Sequence, residues 1–289
     1  MGKYYVLFNP LSGNGRGEEQ SYLLKKKMKD AELEFQDVTK LESYSKYLEQ
    51  VPKGSNILIS GGDGTLHCFI NDVGEKVKDY TVFYNAIGSG NDFLTDLGKT
   101  KEDCPIRVNE ELLDLPTVTI AGKTCHFLNN VGYGIDGYCC EEGDRLRETS
   151  DKPINYTGIA IQGLLFKFKP ANAVVTVDGV KHTYKKVWLA PTMKGRYYGG
   201  GMKVTPNQDR NDPEKKVSVG IMHGSGKLKT LMVFPSIFKG EHVKHTEMME
   251  VLTGHEIEVV FDRPMAAQID GETVTGVTGY QVSTGRKLK

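Results

Sequence analysis

Short apolar runs alternate with helical patterns in the first third of the chain. Uninterrupted apolar runs of four to eight residues indicate buried strands, and apolar residues that recur every three or four positions indicate amphipathic helices. In chain order, this pattern predicts a strand at 4–8, a helix at 18–31, a strand at 35–39, a charged stretch at 41–50, a strand at 57–60, an apolar helix at 65–73 and a strand at 82–87. Such alternation is typical of a parallel sheet with right-handed crossovers.

From about Cys125 the pattern changes to strands bounded by Gly, Pro or Asn-Asp. It predicts a helical interruption at 141–167 and strands at 127–131, 173–177, 182–190, 217–222, 257–261 and 266–269. We therefore expect an α/β protein with an N-terminal three-layer α/β domain at 1–122, built on a mainly parallel sheet. A C-terminal β-rich, sandwich-like domain follows at 123–278. The last residues, 279–289, are predicted to pack back on the first domain.

Composition and charge exclude several classes of protein. The chain has 289 residues, of which 38% are hydrophobic and 26% charged, so it is neither disordered nor collagen-like. Lys plus Arg and Asp plus Glu both total 37, and this zero net charge argues against a dedicated nucleic-acid-binding protein. Five cysteines without a C-x-x-C pair favour reduced thiols in the cytoplasm. Without a signal peptide or an apolar window of about 18 residues, the protein is expected to meet a membrane only peripherally, at its inner face.

Three glycine-rich turns, at 9–17, 61–65 and 88–92, each follow a predicted strand and precede a helix. The carboxyl ends of parallel strands are where α/β proteins bind ligands, and helix N-termini bind phosphate. Arg16 is suited to pair with a phosphate, and Thr65 to cap the helix or bind phosphate through its hydroxyl. Asp63 fits a phosphate site if it holds Mg²⁺ or orients a hydroxyl. The alternatives are a flexible strand-to-helix loop and a tight turn with an Asp cap.

These turns carry a resemblance. Asn-Pro-x-Ser-Gly-x-Gly from Asn9, Gly-Gly-Asp-Gly-Thr from Gly61 and Gly-Ser-Gly-Asn-Asp-Phe from Gly88 resemble the diacylglycerol kinase catalytic domain family, which includes bacterial lipid kinases and sphingosine kinases. The similarity extends more weakly to Ile269-Asp270-Gly271-Glu272. Gly-Gly-Asp-Gly-Thr alone is shared with NAD kinases, and the flanking motifs favour the lipid-kinase branch.

The resemblance implies an α/β domain that holds ATP, a β-rich domain, and phosphoryl transfer in the cleft between them. It implies Asp270 as general base with Glu272 close by. Members of the family often dimerise, although no heptad pattern is visible here. The residues implied to bind the nucleotide are Asn9, Gly13, Arg16, Thr39, Gly61, Gly62, Asp63, Gly64, Thr65 and Ser89.

For two of these assignments, Asp270 and the metal ligand Asp212, the local sequence also supports another interpretation. An Asp-Gly pair after a strand is commonly a hairpin turn, and only the resemblance makes Asp270 a base. The family's Asp-Gly-x-Leu-Asp element, which helps to hold a structural Mg²⁺, corresponds here to an altered stretch from Asn211 to Val219. Asp212 is the residue expected to remain as a ligand, whereas Ser218 stands where the later Asp is expected.

The resulting hypothesis is an ATP- and Mg²⁺-dependent kinase that phosphorylates a lipid hydroxyl, with diacylglycerol giving phosphatidic acid. The alternatives are an NAD kinase and a nucleotide-binding regulatory protein without turnover. Two segments, 156–169 and 228–239, mix large apolar residues with lysines, which suits contact with anionic headgroups. Each is equally consistent with a core element whose lysines are solvated. Gly132 to Gly137 match G-x-G-x-x-G but lack the later acidic residue of a dinucleotide site.

Overall fold

The computed structural model describes residues 2–149 and 154–286 and divides into two compact units between Leu115 and Pro116. The change of pattern along the sequence predicts a domain boundary at residue 122. In the structure this residue lies in a hairpin turn of the second unit, where Ala121 and Gly122 both have positive φ. The glycine therefore marks a tight turn inside a domain. Each unit is continuous in sequence.

The first unit is an α/β sheet in the order β2-β1-β3-β4-β5, parallel except for the edge strand β5. Its strands are β1 (Lys3–Phe8), β2 (Glu32–Asp37), β3 (Asn56–Gly61), β4 (Thr81–Ala86) and β5 (Ile106–Arg107). Its helices are α1 (Ser12–Gly15), α2 (Gly17–Tyr22), α3 (Leu24–Lys27), α4 (Tyr44–Leu48), α5 (Asp63–Val73), α6 (Asp92–Asp96) and α7 (Asn109–Leu113). Short 3₁₀ turns add Val38–Lys40, Gly74–Asp79 and Lys101–Asp103.

The strand pattern accounts for this arrangement. Ile57, Leu58 and Ile59 are all fully buried, as expected for a strand that has neighbours on both sides and is covered on both faces. The helix predicted at 18–31 is shorter and is divided at Leu23 into α2 and α3. The chain then enters β2 at Glu32, three residues before the predicted strand.

The second unit is built around a ten-stranded sheet. Eight strands follow the order β15-β14-β11-β8-β16-β17-β6-β7, while β9 joins β16 and β10 pairs with β9. The strands are β6 (Thr117–Ile120), β7 (Lys123–His126), β8 (Asn130–Tyr133), β9 (Ala171–Val177), β10 (Val180–Val187), β11 (Thr192–Met193), β14 (Val217–Met222), β15 (Met249–Gly254), β16 (Glu256–Ile269) and β17 (Glu272–Ser283), with β12 (Tyr197–Tyr198) and β13 (Met202–Lys203) in a separate pair.

Two strands differ from the sequence prediction. The strands predicted at 257–261 and 266–269 are one strand, β16, whose register shifts between Val260 and Met265. This irregularity accommodates Pro264, which has no N–H to donate to a neighbouring strand. The tail predicted to pack on the first domain begins inside β17, which pairs with β16 and β6 in the second unit because Tyr280 and Val282 are buried in its core. Residues 287–289 of that tail lie outside the described residues.

The helical interruption of the second unit begins earlier than predicted. Its helices are α8 (Ile135–Thr149), α9 (Tyr156–Gln162) and α10 (Lys227–Val233), with a π turn at Gly163–Lys167 and 3₁₀ turns at Phe234–Lys239 and His242–Lys244. They pack around Leu164, Trp188, Leu189 and Ile237 in a second apolar cluster. Within residues 2–149 and 154–286, none of the helices has the length and apolar content needed to span a bilayer.

Candidate active site

The second and third glycine-rich turns touch through their backbones. A Cβ added to Gly88 would lie 2.7 Å from the Cα of Gly62, closer than real side-chain contacts allow. Ile87 N also donates to Gly61 O at 2.9 Å. The two turns can approach this closely because neither residue has a side chain.

The first turn is tied to the second by side chains. Asn9 Nδ2 donates to Thr65 Oγ1 at 3.0 Å, and Leu11 N donates to Asn9 Oδ1 at 3.0 Å. Ser12 Oγ lies 3.5 Å from Thr65 Oγ1 and accepts from Gly62 N at 3.3 Å. The Thr65 side chain is buried, so its hydroxyl joins the turns together at the first turn of α5.

Asp63 links the second turn to the third. Its Oδ1 accepts from Tyr84 Oη at 3.1 Å, and its Oδ2 accepts from Phe93 N at the start of α6 at 3.3 Å. Burial raises the pKa of the Tyr84 hydroxyl well above its usual value, with the Asp63 charge acting in the same direction. The hydroxyl therefore stays a donor, and its bond holds the Asp63 carboxylate in place.

The other predicted nucleotide residues lie at or beside this edge. Gly13 has φ +59, and a Cβ there would lie 2.7 Å from Ile87 O, so the first turn also reaches the third. Arg16 precedes α2 and Ser89 lies in the third turn, and both are exposed. Thr39 follows β2 and donates through its N–H and hydroxyl to Asp37.

This edge fits a polyphosphate. Glycine backbone from three turns, the N-terminus of the 11-residue α5 and the hydroxyls of Ser12 and Thr65 meet at this edge. Nine of the ten predicted nucleotide residues belong to the three turns and the segments directly flanking them, and Thr39 is one strand away.

Asp212, predicted as a metal ligand, lies in a turn that its own carboxylate stabilises. Its Oδ1 accepts from Glu214 N and its Oδ2 from Lys216 N, both at 3.1 Å, so the carboxylate caps its own turn. Ser218, which replaces the expected second Asp, bonds to Gln208 and Thr253. Within the described part of the chain, no group of three or more His, Cys, Asp or Glu side chains is arranged to hold a metal ion.

Asp270 is both a turn residue and a buttressed carboxylate. Asp270 and Gly271 have φ +49 and +95 and join β16 to β17 as a two-residue hairpin loop, as their sequence suggests. The Asp270 carboxylate accepts from the backbone N–H groups of Leu128, Asn129 and Asn130 at 2.6, 2.7 and 3.1 Å. These bonds fix the orientation of the carboxylate.

The loop that holds Asp270 is itself held by a buried arginine. Arg210 Nη1 donates to Leu128 O at 2.6 Å, and Nη2 donates to Asn129 Oδ1 at 2.7 Å. Lys194, also buried, donates its backbone N–H to Asn129 O at 2.9 Å. A guanidinium in a planar two-donor contact positions the loop more firmly than a single neutral bond would.

A second carboxylate near the hairpin, that of Asp136, is buried. Gln268 Oε1 accepts from Gly271 N at 2.8 Å, and Gln268 Nε2 is 3.4 Å from Asp136 Oδ2. Burial raises the pKa of Asp136 to about 6, although the bond from Gln268 acts in the opposite direction. A Cβ at Gly132 would lie 1.7 Å from Asp136 Oδ2, so the first glycine of the G-x-G-x-x-G match makes room for this carboxylate.

Glu272, predicted beside Asp270, is exposed and follows the turn as the partner of Ile269 in the hairpin. The residues that sequence reasoning missed are Tyr84, Asn129, Asp136, Arg210 and Gln268. The sequence offered two signals for these residues: the Asn129-Asn130 pair before the G-x-G-x-x-G match, and Arg210 beside the altered stretch that begins at Asn211. Neither signal identifies the contacts, because the partners are far away in sequence.

Two family models match the chain. The diacylglycerol kinase catalytic domain matches residues 3–117, and the YegS C-terminal NAD kinase beta sandwich-like domain matches residues 129–284. Diacylglycerol kinase of Mycobacterium tuberculosis is 24% identical over 259 residues, which cover 86% of this chain and 82% of that protein. A crystal structure of a diacylglycerol kinase from Bacillus anthracis strain Sterne superposes with a TM-score of 0.63 at 19% identity, covering 98% of this chain and 93% of that one. The predicted fold class is confirmed.

Proposed function

Because the chain belongs to the diacylglycerol kinase catalytic domain family and carries that family's YegS-type C-terminal domain, we propose that it is an ATP-dependent lipid kinase. It transfers the γ-phosphoryl group of Mg·ATP to a lipid hydroxyl, and diacylglycerol is the proposed acceptor, giving phosphatidic acid. We place the protein in the cytoplasm, bound peripherally to the inner face of the membrane, because its acceptor resides in a bilayer.

The observation that carries the proposal is the meeting of three glycine-rich turns at one sheet edge. The approach of Gly62 to Gly88, the Asn9–Thr65 bond and the Asp63 contacts to Tyr84 and Phe93 build an edge lined by backbone atoms. Phosphoryl transfer depends mainly on positioning and electrostatic stabilisation, which backbone N–H groups supply.

Mg²⁺ enters as part of the substrate Mg·ATP. The described residues offer no carboxylate cluster for a resident ion, and the Asp212 carboxylate is satisfied by its own turn. We therefore assign the divalent ion to the phosphates of the nucleotide, where it neutralises developing charge. Asp212 is given no part in the reaction.

Acceptor activation is assigned to Asp270. In the proposed step, the lipid hydroxyl oxygen forms a bond to the γ-phosphorus as the bond between that phosphorus and the β–γ bridging oxygen breaks. ADP leaves, and the hydroxyl proton passes to the Asp270 carboxylate. The three backbone donors from residues 128–130 and the Arg210 brace support this role, because a general base must be held in a fixed orientation.

The deciding experiment measures labelled phosphate transfer from Mg·[γ-³²P]ATP to diacylglycerol, sphingosine, ceramide, phosphatidylglycerol and NAD in mixed micelles. A labelled lipid product is the expected result. Label on NAD would make the protein an NAD kinase, and tight ATP binding without any product would favour a regulatory nucleotide-binding protein.

Asp270→Asn tests the base. We expect turnover on diacylglycerol to fall by about 10²- to 10⁴-fold at every pH, with ATP affinity unchanged. The side-chain amide of this variant would place an NH₂ group against the backbone N–H groups of residues 128–130, so that donors face donors. The free energy of unfolding should therefore fall by about 1–3 kcal/mol. Arg210→Gln is the matched control, since it loosens the same loop and keeps the carboxylate. Equal losses of turnover in the two variants would remove Asp270 from the base role.

A further inference from the structure

We propose that the second unit binds a small organic ammonium ion in a pocket on one face of β14 and β15. The pocket has a volume of about 470 Å³, which is within the range of pockets that hold small molecules. It is lined by the segment at 205–208, by the turn at 243–246 and by residues of the two strands. Among the described residues, none of the glycine-rich turns or of the Asp270 hairpin lines it, and the inference does not depend on the proposed function.

Strand pairing sets the floor of the pocket. Ser218 of β14 is the register partner of Thr253 of β15, so the two side chains lie on the same face of the strands. Gly220, two residues further along β14, lies on that face as well. A Cβ on Gly220 would be 3.0 Å from Val204 Cγ1, so the chain at 204–208 crosses over this face. The pocket is therefore bounded by the strands on one side and by this segment on the other.

The hydroxyl protons of the floor are already committed. Gln208 Nε2 donates to the carbonyl oxygens of Asp209 at 3.2 Å and of Lys216 at 2.9 Å, which uses both of its protons. Gln208 Oε1 accepts from Ser218 Oγ, since an amide oxygen has no proton to give. Thr253 Oγ1 lies 2.7 Å from Ser218 Oγ and must be the donor in that pair. The direction of donation is thus fixed from Thr253 through Ser218 to Gln208.

A third hydroxyl is committed in the same way. Thr205 Oγ1 donates to Gly195 O at 3.0 Å. Thr205, Ser218 and Thr253 therefore line the pocket with oxygen lone pairs and with no free proton. A phosphate or a carboxylate needs donors, which these oxygens cannot supply.

A primary ammonium group is the complement of this set of oxygens. It has three donors and no acceptor, so three hydroxyl oxygens can satisfy it. An alcohol or a carboxamide also donates, but each brings an acceptor that the committed hydroxyls leave without a partner, and an unsatisfied group lowers affinity. The headgroup of the proposed ligand is therefore an ammonium.

The charges around the pocket agree with a cation. No Lys, Arg or His from the described ranges lines it, so no positive side chain opposes the ligand. Glu250 of β15 is the one acidic residue among the described residues that line it. The Glu250 carboxylate accepts from Tyr184 Oη at 2.8 Å, and burial raises the pKa of Tyr184 well above its usual value, so the tyrosine remains the donor. This carboxylate adds negative charge beside the three hydroxyl oxygens.

The walls favour a short apolar body on the ligand. Val243, Met249 and Val251 line the pocket together with Pro206. Met249 is buried and belongs to the apolar cluster around Trp188, so it gives the pocket a firm wall. An alkyl chain that leaves water for these side chains gains binding free energy. The proposed ligand class is therefore a primary alkylammonium.

The test titrates the full chain, labelled with ¹³C at its methionine methyl groups, with n-butylammonium chloride at neutral pH. Because Met249 lines the pocket, its methyl signal should shift and saturate with a Kd of about 1 mM. The signal of Met28 in the first unit should stay in place. Butan-1-ol and sodium butyrate carry a chain of the same length on a different headgroup, and both should bind about tenfold more weakly or less.

Three variants identify the acceptor oxygens. Thr253→Val removes one oxygen at nearly unchanged volume and should weaken binding of n-butylammonium about tenfold. Thr253→Ser keeps the hydroxyl and should bind as wild type does, which separates loss of the oxygen from loss of the fold. Thr119→Val is the matched control, because it breaks a pair of threonine hydroxyls, Thr119 and Thr124 at 2.8 Å, in the β6–β7 hairpin. Its affinity should be that of wild type.

Four results would overturn the proposal. Equal affinity for the three probes would show that the headgroup is not recognised, and tighter binding of butyrate would show that the pocket offers donors. An unmoved Met249 signal at about 10 mM n-butylammonium would exclude the site. Unchanged affinity in Thr253→Val would remove the hydroxyl oxygens from recognition. Selective binding of the ammonium would stand even if no labelled lipid forms in the kinase assay.

Discussion

Asp136 illustrates how a single buried side chain sets a dependence on pH. The carboxylate is buried, and Gln268 Nε2 lies 3.4 Å from its Oδ2. Its pKa of about 6 lies above the value of 3.8 for an unperturbed Asp. The folded protein therefore binds a proton more tightly than the unfolded chain does, and between these two values stability falls as pH rises.

We expect Asp136→Asn to remove this dependence. Relative to the variant, wild type should lose about 3 kcal/mol of unfolding free energy between about pH 4 and about pH 7 and change little above that. Urea unfolding followed through Trp188, the single tryptophan, reports on the right unit because Trp188 lies in the same apolar cluster as Ile135. Identical pH profiles for the two proteins would show that burial does not set the proton affinity of this group.

At the scale of elements, the first unit depends on the close approach of two turns. Gly62 and Gly88 touch through backbone atoms, and Asp63 accepts a hydrogen bond from Phe93 N at the N-terminus of α6. The geometry of the edge proposed to bind phosphate is thus set by backbone atoms that a methyl group on Gly88 would displace. A change at this contact should affect ligand binding more than it affects folding.

Gly88→Ala should weaken ATP binding by about tenfold or more, because its Cβ would lie 2.7 Å from Gly62 Cα and force the turns apart. The stability cost should be about 1–3 kcal/mol. Gly54→Ala is the control: Gly54 has φ +83 in open space, so alanine costs about 1–2 kcal/mol of strain far from the turns. Calorimetric titration with ATP should separate the variants, and equal affinities would refute the role of the contact.

Sequence reasoning identified the elements that local pattern determines. The apolar run from Ile57 and the spacing of the glycine motifs were enough to predict β3, α5 and the meeting of the three turns. The hairpin at 117–126 was missed because Gly122 is an equally good signal for a linker. The contacts that hold the Asp270 carboxylate could not be predicted from the sequence. Leu128 and Arg210 are separated from Asp270 by 142 and 60 positions, and only the fold brings the loop and the hairpin together.

For the whole molecule, the division between Leu115 and Pro116 separates the nucleotide turns from the Asp270 hairpin. Each unit has its own sheet and its own core, and the chain crosses between them once in sequence.

Hydrogen exchange should reveal this division. We expect Mg·ATP without acceptor to slow amide exchange in peptides that cover 9–17, 61–65 and 87–93, because the ligand binds the folded turns and suppresses their opening. The turn at Asp178 and Gly179 between β9 and β10 is the internal control and should exchange at an unchanged rate. Protection confined to the second unit would contradict the assignment of nucleotide binding to the first.

The Asp270-Gly271 turn also bears on how the protein ages. In an Asp-Gly sequence, the glycine nitrogen can attack the side-chain carboxyl, expel water and form a cyclic imide, which hydrolyses to aspartate or isoaspartate. Here Gly271 N is engaged by Gln268 and the carboxylate by three backbone donors, so the two reacting groups are held away from ring closure. Unfolding would release both groups, and isoaspartate at residue 270 would then record how long a molecule had spent unfolded.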